Sequence, residues 1–139
     1  MVQLILGEKG KGKTRHLLGK ANAEILNVQG TIVYLDKNTK HMYELNNKIR
    51  LINVMEYNIT DNKEFVGFIN GIISQDHDLE QMYLDSFLTI GCVHNDEIEE
   101  VVNKLERIGK RFNISFVLSC AVDEADVPES LRDKIIISL

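Results

Sequence analysis

The chain has 139 residues, room for a single domain over 1–139 and too few for two ordinary ones. Its 44% hydrophobic and 27% charged residues are those of an ordinary globular protein and argue against disorder. A net charge of −5 and only 6% aromatic residues do not support nucleic acid as a partner, which calls for a basic footprint and stacking surfaces.

Val2–Leu6 is apolar and ends at Gly7, which reads as a buried strand feeding a turn. From Lys13 the period changes. Leu17, Leu18, Ala21, Ile25 and Val28 fall on one helical face, and Gly30 closes the segment. Thr31–Leu35 is β-branched and aromatic, a second strand ending at Asp36. Ile49–Met55 is the third. The thirteen positions Asp36–Lys48 between them suit a short helical crossover or a hairpin excursion. Asp61 and Glu64 have capping-box spacing, and Phe65, Ile69, Ile72 and Ile73 form a helical stripe to about Gln75. Asp76–Glu80 is acidic and reads as a loop before a strand at Gln81–Asp85.

Asp96 and Glu97 open the clearest helix, with Ile98, Val101, Val102, Leu105, Ile108 and Phe112 at helical spacing and Lys110 and Arg111 at its end. Ile114–Leu118 is a strand continuing to Ser119 and Cys120. Pro128 opens a short helix through Asp133, and Ile135–Leu139 is a final strand. Apolar strands alternating with helices imply an α/β protein, a three-layer α/β/α sandwich around a mostly parallel central sheet. Cys92 and Cys120 lie beside apolar runs without metal or redox spacing, as reduced thiols do. No run reaches the ~18 apolar residues of a membrane span. Met1–Leu6 is too short for a signal-peptide core, so a cytoplasmic protein is expected.

Gly7-Glu8-Lys9-Gly10-Lys11-Gly12-Lys13-Thr14 matches the phosphate-loop pattern G-x-x-x-x-G-K-S/T at every fixed position. The chemistry requires these residue types. Glycines let successive backbone N–H groups curl towards phosphate, and the following helix adds the positive end of its dipole. The Lys13 ammonium can reach the β- and γ-phosphates, and the Thr14 hydroxyl can ligate Mg²⁺. The residues expected to touch nucleotide are Gly7 to Thr14 and the following Arg15, with Lys9 and Lys11 either adding potential or simply solvated.

On this loop, flanked by a strand and a helix, the chain resembles the P-loop NTPases. The resemblance implies that family's fold, with ATP or GTP and Mg²⁺ as ligands. Met82-Tyr83-Leu84-Asp85 then looks like a Walker B strand, with Asp85 as the second magnesium residue and Asp36 as the alternative. Asp85-Ser86 before an apolar residue is similar to the RecA-like branch, which implies a strand inserted between the loop strand and the Walker B strand. That branch's glutamate often follows the Walker B aspartate, where this chain has Ser86, or lies shortly after the second strand, here Asp36-Lys37-Asn38. Glu56, at the end of the third strand, is the substitute, so Lys13 and Glu56 are the expected catalytic residues. Ser119 could sense the γ-phosphate or bond locally. Arg132 and the Asp123–Asp126 cluster read as surface. The expected function is an ATP-binding protein and Mg-dependent ATPase with weak or partner-dependent turnover, acting on a protein partner or as a homo-oligomer. A small-metabolite kinase and a non-hydrolysing nucleotide sensor are the alternatives. No N-K-x-D guanine signature is present, which favours ATP.

Overall fold

The computed structural model describes residues 1–139. It contains strands β1 (Val2–Leu6), β2 (Thr31–Asp36), β3 (Arg50–Asn53), β4 (Leu79–Leu84), β5 (Ser115–Cys120) and β6 (Ile135–Ser138). The helices are α1 (Lys13–Glu24), α2 (Asn62–Ser74), the single turn α3 (Phe87–Ile90) and α4 (Ile98–Phe112). The strands form one sheet in the order β3-β2-β4-β5-β1-β6, and all five pairings are parallel. β5 therefore lies between β1 and β4. No helix is long and apolar enough to cross a membrane.

Alternation along each strand divides the core into two layers. Leu4, Leu35, Leu84 and Leu118 pack with α2 and α4 in a cluster of 27 buried residues, whereas Ile5, Tyr34, Tyr83 and Val117 meet α1 in a cluster of 11. The Tyr34 and Tyr83 rings stack on adjacent strands at 6.2 Å. Both faces of the central strands are thus apolar, as a parallel sheet covered on two sides requires.

Several boundaries differ from expectation for local reasons. α1 stops at Glu24 and not near Val28, because Leu26 and Asn27 turn to i−3 carbonyls and tighten the last turn. β3 ends at Asn53, whose side chain accepts the N–H of Met55 and starts a 3-10 turn at Val54–Tyr57. The segment after Asp36 is neither a helix nor a hairpin. Asn38 and Asn46 bond backbone N–H groups two residues on, which favours consecutive turns. Asn22 on α1 holds that segment through Glu44 and Asn46. β4 begins two residues early, at Leu79, because the Glu80 carboxylate accepts the N–H groups of Gln29 and Gly30 at the start of β2. Asp61 caps α2 as expected, accepting from Glu64 N at 2.8 Å, but the Glu64 carboxylate reaches back to Thr60. The segment after Pro128 is a 3-10 helix, Glu129–Lys134. Cys92 and Cys120 are both free.

Candidate functional site

The glycine loop joins β1 to α1 at the carboxyl edge of the sheet. Gly7 N–H bonds Cys120 O at the end of β5, and Lys11 N–H bonds Glu8 O. Gly10 and Gly12 have φ of 88° and 95°, the left-handed region where a side chain is strained. Gly12 is the N-cap of α1 and supplies no capping side chain, so the first amides of the helix are left for another acceptor. Lys13 Nζ folds back to Glu8 O at 3.1 Å. Burial lowers the Lys13 amine from its ordinary value, against the opposing pull of Asp85. Burial also pushes the neighbouring Cys120 thiol up to about 12, which keeps it neutral.

A cavity of about 480 Å³ opens over this loop. Lys9, Gly10, Gly12, Lys13 and Thr14 form one wall. Asp85, Ser86 and Thr89, on the segment leaving β4, form another, with Lys37 at the end of β2 completing it. Strand alternation explains the convergence. Asp36 follows Ile32 and Tyr34, Asp85 follows Tyr83, and Ser119 follows Val117, all on the α1 face. Asp85 N–H donates to Leu35 O, so the acidic ends of β4 and β2 lie side by side.

Asp85 is 2% exposed, and three hydroxyls bond its carboxylate. Its Oδ1 accepts from Thr14 Oγ1 at 3.2 Å and Ser119 Oγ at 2.8 Å, and its Oδ2 accepts from Tyr34 OH at 2.9 Å. Ser119 Oγ in turn accepts Ser86 N–H at 2.8 Å. Burial and then Asp85 raise the Tyr34 phenol well above its ordinary range, so it stays a donor. The Thr14 bond fixes that hydroxyl with its proton towards Asp85 and its lone pairs free. A threonine hydroxyl and a carboxylate are hard oxygen donors suited to Mg²⁺ held largely by phosphate and water. No cluster of three His, Cys, Asp or Glu side chains gathers anywhere in the chain.

Neither the search of family models nor that of curated proteins found a match to this chain.

The structure brings Lys9, Gly10, Gly12, Lys13, Thr14 and Asp85 to one cavity. Gly7 is buried at its base, and Glu8, Lys11 and Arg15 are exposed around it without lining it. Glu56 requires a correction as a catalytic residue. It is exposed on the turn after β3, the edge strand, with β2, β4 and β5 between β3 and β1. It does not line the cavity. Ser119 bonds Asp85 directly, and Arg132 bonds Val127 O within its own segment. Tyr34 and Lys37 escaped sequence reasoning. Their only signal was position, two before and one after the strand-ending Asp36.

Asp36 is also buried on this face, and burial, then Asp85, push it up to about 6 from an ordinary 3.8; the Lys37 N–H and the charges of His41 and Lys37 oppose the rise. The native state therefore holds this proton more tightly than the unfolded chain. The stability contributed by Asp36 falls as pH rises from about 4 to about 6 and stays low above. Asp36→Asn removes that decline. Urea unfolding of both proteins across this range should show the variant gaining about 1–2 kcal/mol on the wild type towards neutral pH. A difference that does not vary with pH contradicts the raised carboxyl.

Proposed function

We propose that the chain binds ATP with Mg²⁺ at the glycine loop and acts as a P-loop nucleoside-triphosphatase of the RecA-like kind. The observation that carries this reading is the Thr14–Asp85 hydrogen bond across a cavity floored by the glycine-capped start of α1. It joins the two side chains that would hold magnesium, from segments 71 residues apart. The order β1-β5-β4, with one strand between the loop strand and the Asp85 strand, supports the RecA-like assignment over a kinase.

Each residue then has a role that follows from its chemistry. The free amides after Gly12 and the Lys13 ammonium hold the β- and γ-phosphates. Thr14 and Asp85 hold the metal, Asp85 through a water. When bound, the metal neutralises phosphate oxygens and polarises the terminal phosphoryl group. Ser119 and Tyr34 keep Asp85 in one rotamer.

Calorimetric titration of ATP, ADP and GTP with Mg²⁺ tests this. Wild type should bind ATP more tightly than GTP, and Lys13→Ala should weaken ATP by about 100-fold, the scale expected for losing a charge-assisted contact to two phosphates. Absence of binding heat with all three nucleotides in the wild type overturns the reading.

A further inference from the structure

Ser86 leaves β4 in a conformation that serine seldom adopts. Its φ and ψ are 57° and 50°, in the left-handed region. Asn58 and Asn113 share that region, but asparagine tolerates it, whereas serine is strained there. The strain redirects the residue. Leu84 packs with α2 and α4 and Asp85 faces α1, so alternation alone would return residue 86 to the α2 and α4 side. The left-handed turn, with the Ser86 N–H held by Ser119 Oγ at 2.8 Å, places Ser86 on the wall of the cavity over the glycine loop. α3 begins at the next residue. A strand, a strained serine and a helical turn in succession form an arrangement that exposes a serine nucleophile at the edge of a sheet.

The groups around Ser86 suit an acceptor of phosphate. The residue is half-buried, and its hydroxyl is bonded to nothing in the fold. Lys9, Lys13 and Lys37 bring three ammonium groups to the same cavity. The one carboxylate lining it is Asp85, already the acceptor of three hydroxyls. No lining carboxylate is left to take a proton from an attacking water. A hydroxyl fixed on the wall, by contrast, needs no capture and ordering before it reacts. Phosphoryl transfer depends more on such positioning than on a strong base.

We propose that Ser86 accepts the terminal phosphoryl group of the bound nucleotide, so that the chain phosphorylates itself, a role that rests on the nucleotide reading above. Ser86 Oγ forms a bond to the terminal phosphorus as the bond from that phosphorus to the bridging oxygen breaks. The bridging oxygen leaves with the electron pair on the nucleoside diphosphate, and the hydroxyl proton passes to an oxygen of the transferring group. The lysine ammonium groups offset charge on that group.

The test is intact-mass spectrometry of the full chain after incubation with Mg·ATP, with fragmentation to locate the modified residue, beside calorimetric binding of Mg·ATP. The wild type should gain one phosphoryl group at Ser86, with a rate constant independent of protein concentration, as transfer within one molecule requires. Ser86→Ala and Ser86→Gly should keep ATP affinity within about threefold of wild type and lower the rate of phosphoryl gain by about 100-fold or more. The glycine variant suits the left-handed backbone and preserves the fold. A wild type that binds Mg·ATP and stays unmodified overturns the assignment. So does a phosphoryl group located at another residue, an undiminished gain in the two variants, or a rate constant that rises with protein concentration. A wild type that binds no nucleotide removes the nucleotide reading itself and this role with it, so binding and mass gain separate the two failures.

Discussion

Asp85→Ala should lower the unfolding free energy by about 2–4 kcal/mol. The carboxylate is the shared acceptor of three hydroxyls, from α1, β2 and β5. Tyr34 and Ser119 are 0% and 1% exposed, so their protons have no water to turn to. Each orphaned donor costs about 1–3 kcal/mol. Two effects hold the total below the sum: Ser119 can rotate, and Asp36 is freed from the repulsion of its neighbour. The check is a urea titration at pH 7, with the midpoint falling at constant slope. An unchanged midpoint shows that the three bonds hold nothing together. Removing the other buried carboxylate, in Asp36→Asn, has the opposite sign, because that group has no donor to abandon except the Lys37 amide, which asparagine still accepts.

Gly30→Ala should cost about 3 kcal/mol or more, among the largest effects available to a single added methyl group. A Cβ at Gly30 would lie 1.9 Å from the carbonyl oxygen of Asp78. That oxygen cannot retreat freely, since it accepts the Thr31 N–H at 2.9 Å. Glu80, which accepts from Gly30, also comes within 3.0 Å of the new atom. The backbone must move at the point where β2 enters the sheet beside β4. Gly19→Ala is the control. It lies inside α1 with nothing within 4 Å of an added Cβ, and should be neutral or gain up to about 1 kcal/mol. Thermal unfolding of both variants decides the matter, and equal stabilities overturn the close approach at Gly30.

The parts of the structure legible in the sequence are those whose cause is local. The glycine loop at Gly7–Thr14 ends a short apolar strand and opens a 3.6-period helix, and each signal lies within a few residues of the next. Asp61 shows itself as a cap because the N–H that donates to it, that of Glu64, is three residues away. Glu80 looked like part of a solvated acidic loop because its partners, Gln29 and Gly30, are about fifty residues distant. The pairing of Asp36 with Asp85 depends on Leu35 aligning with Leu84, and nothing in either strand announces the register when both faces are apolar. Glu56 illustrates the converse. Ending a strand is a local property, but serving the loop requires a strand near β1, and β3 lies at the opposite edge. Asn38 and Asn46 carried a readable turn chemistry that spacing between strands obscured.

The uneven thickness of the two core layers bears on how the molecule yields to disturbance. Beneath α2 and α4 lies a cluster of 27 buried residues, whereas α1 and the turns after β2 share 11. The glycine loop, Asp36 and Lys37 all belong to the thinner side. Partial opening is cheapest where the fewest apolar groups must meet water. The heavier side therefore acts as a rigid keel, while the lighter side is where the molecule opens first.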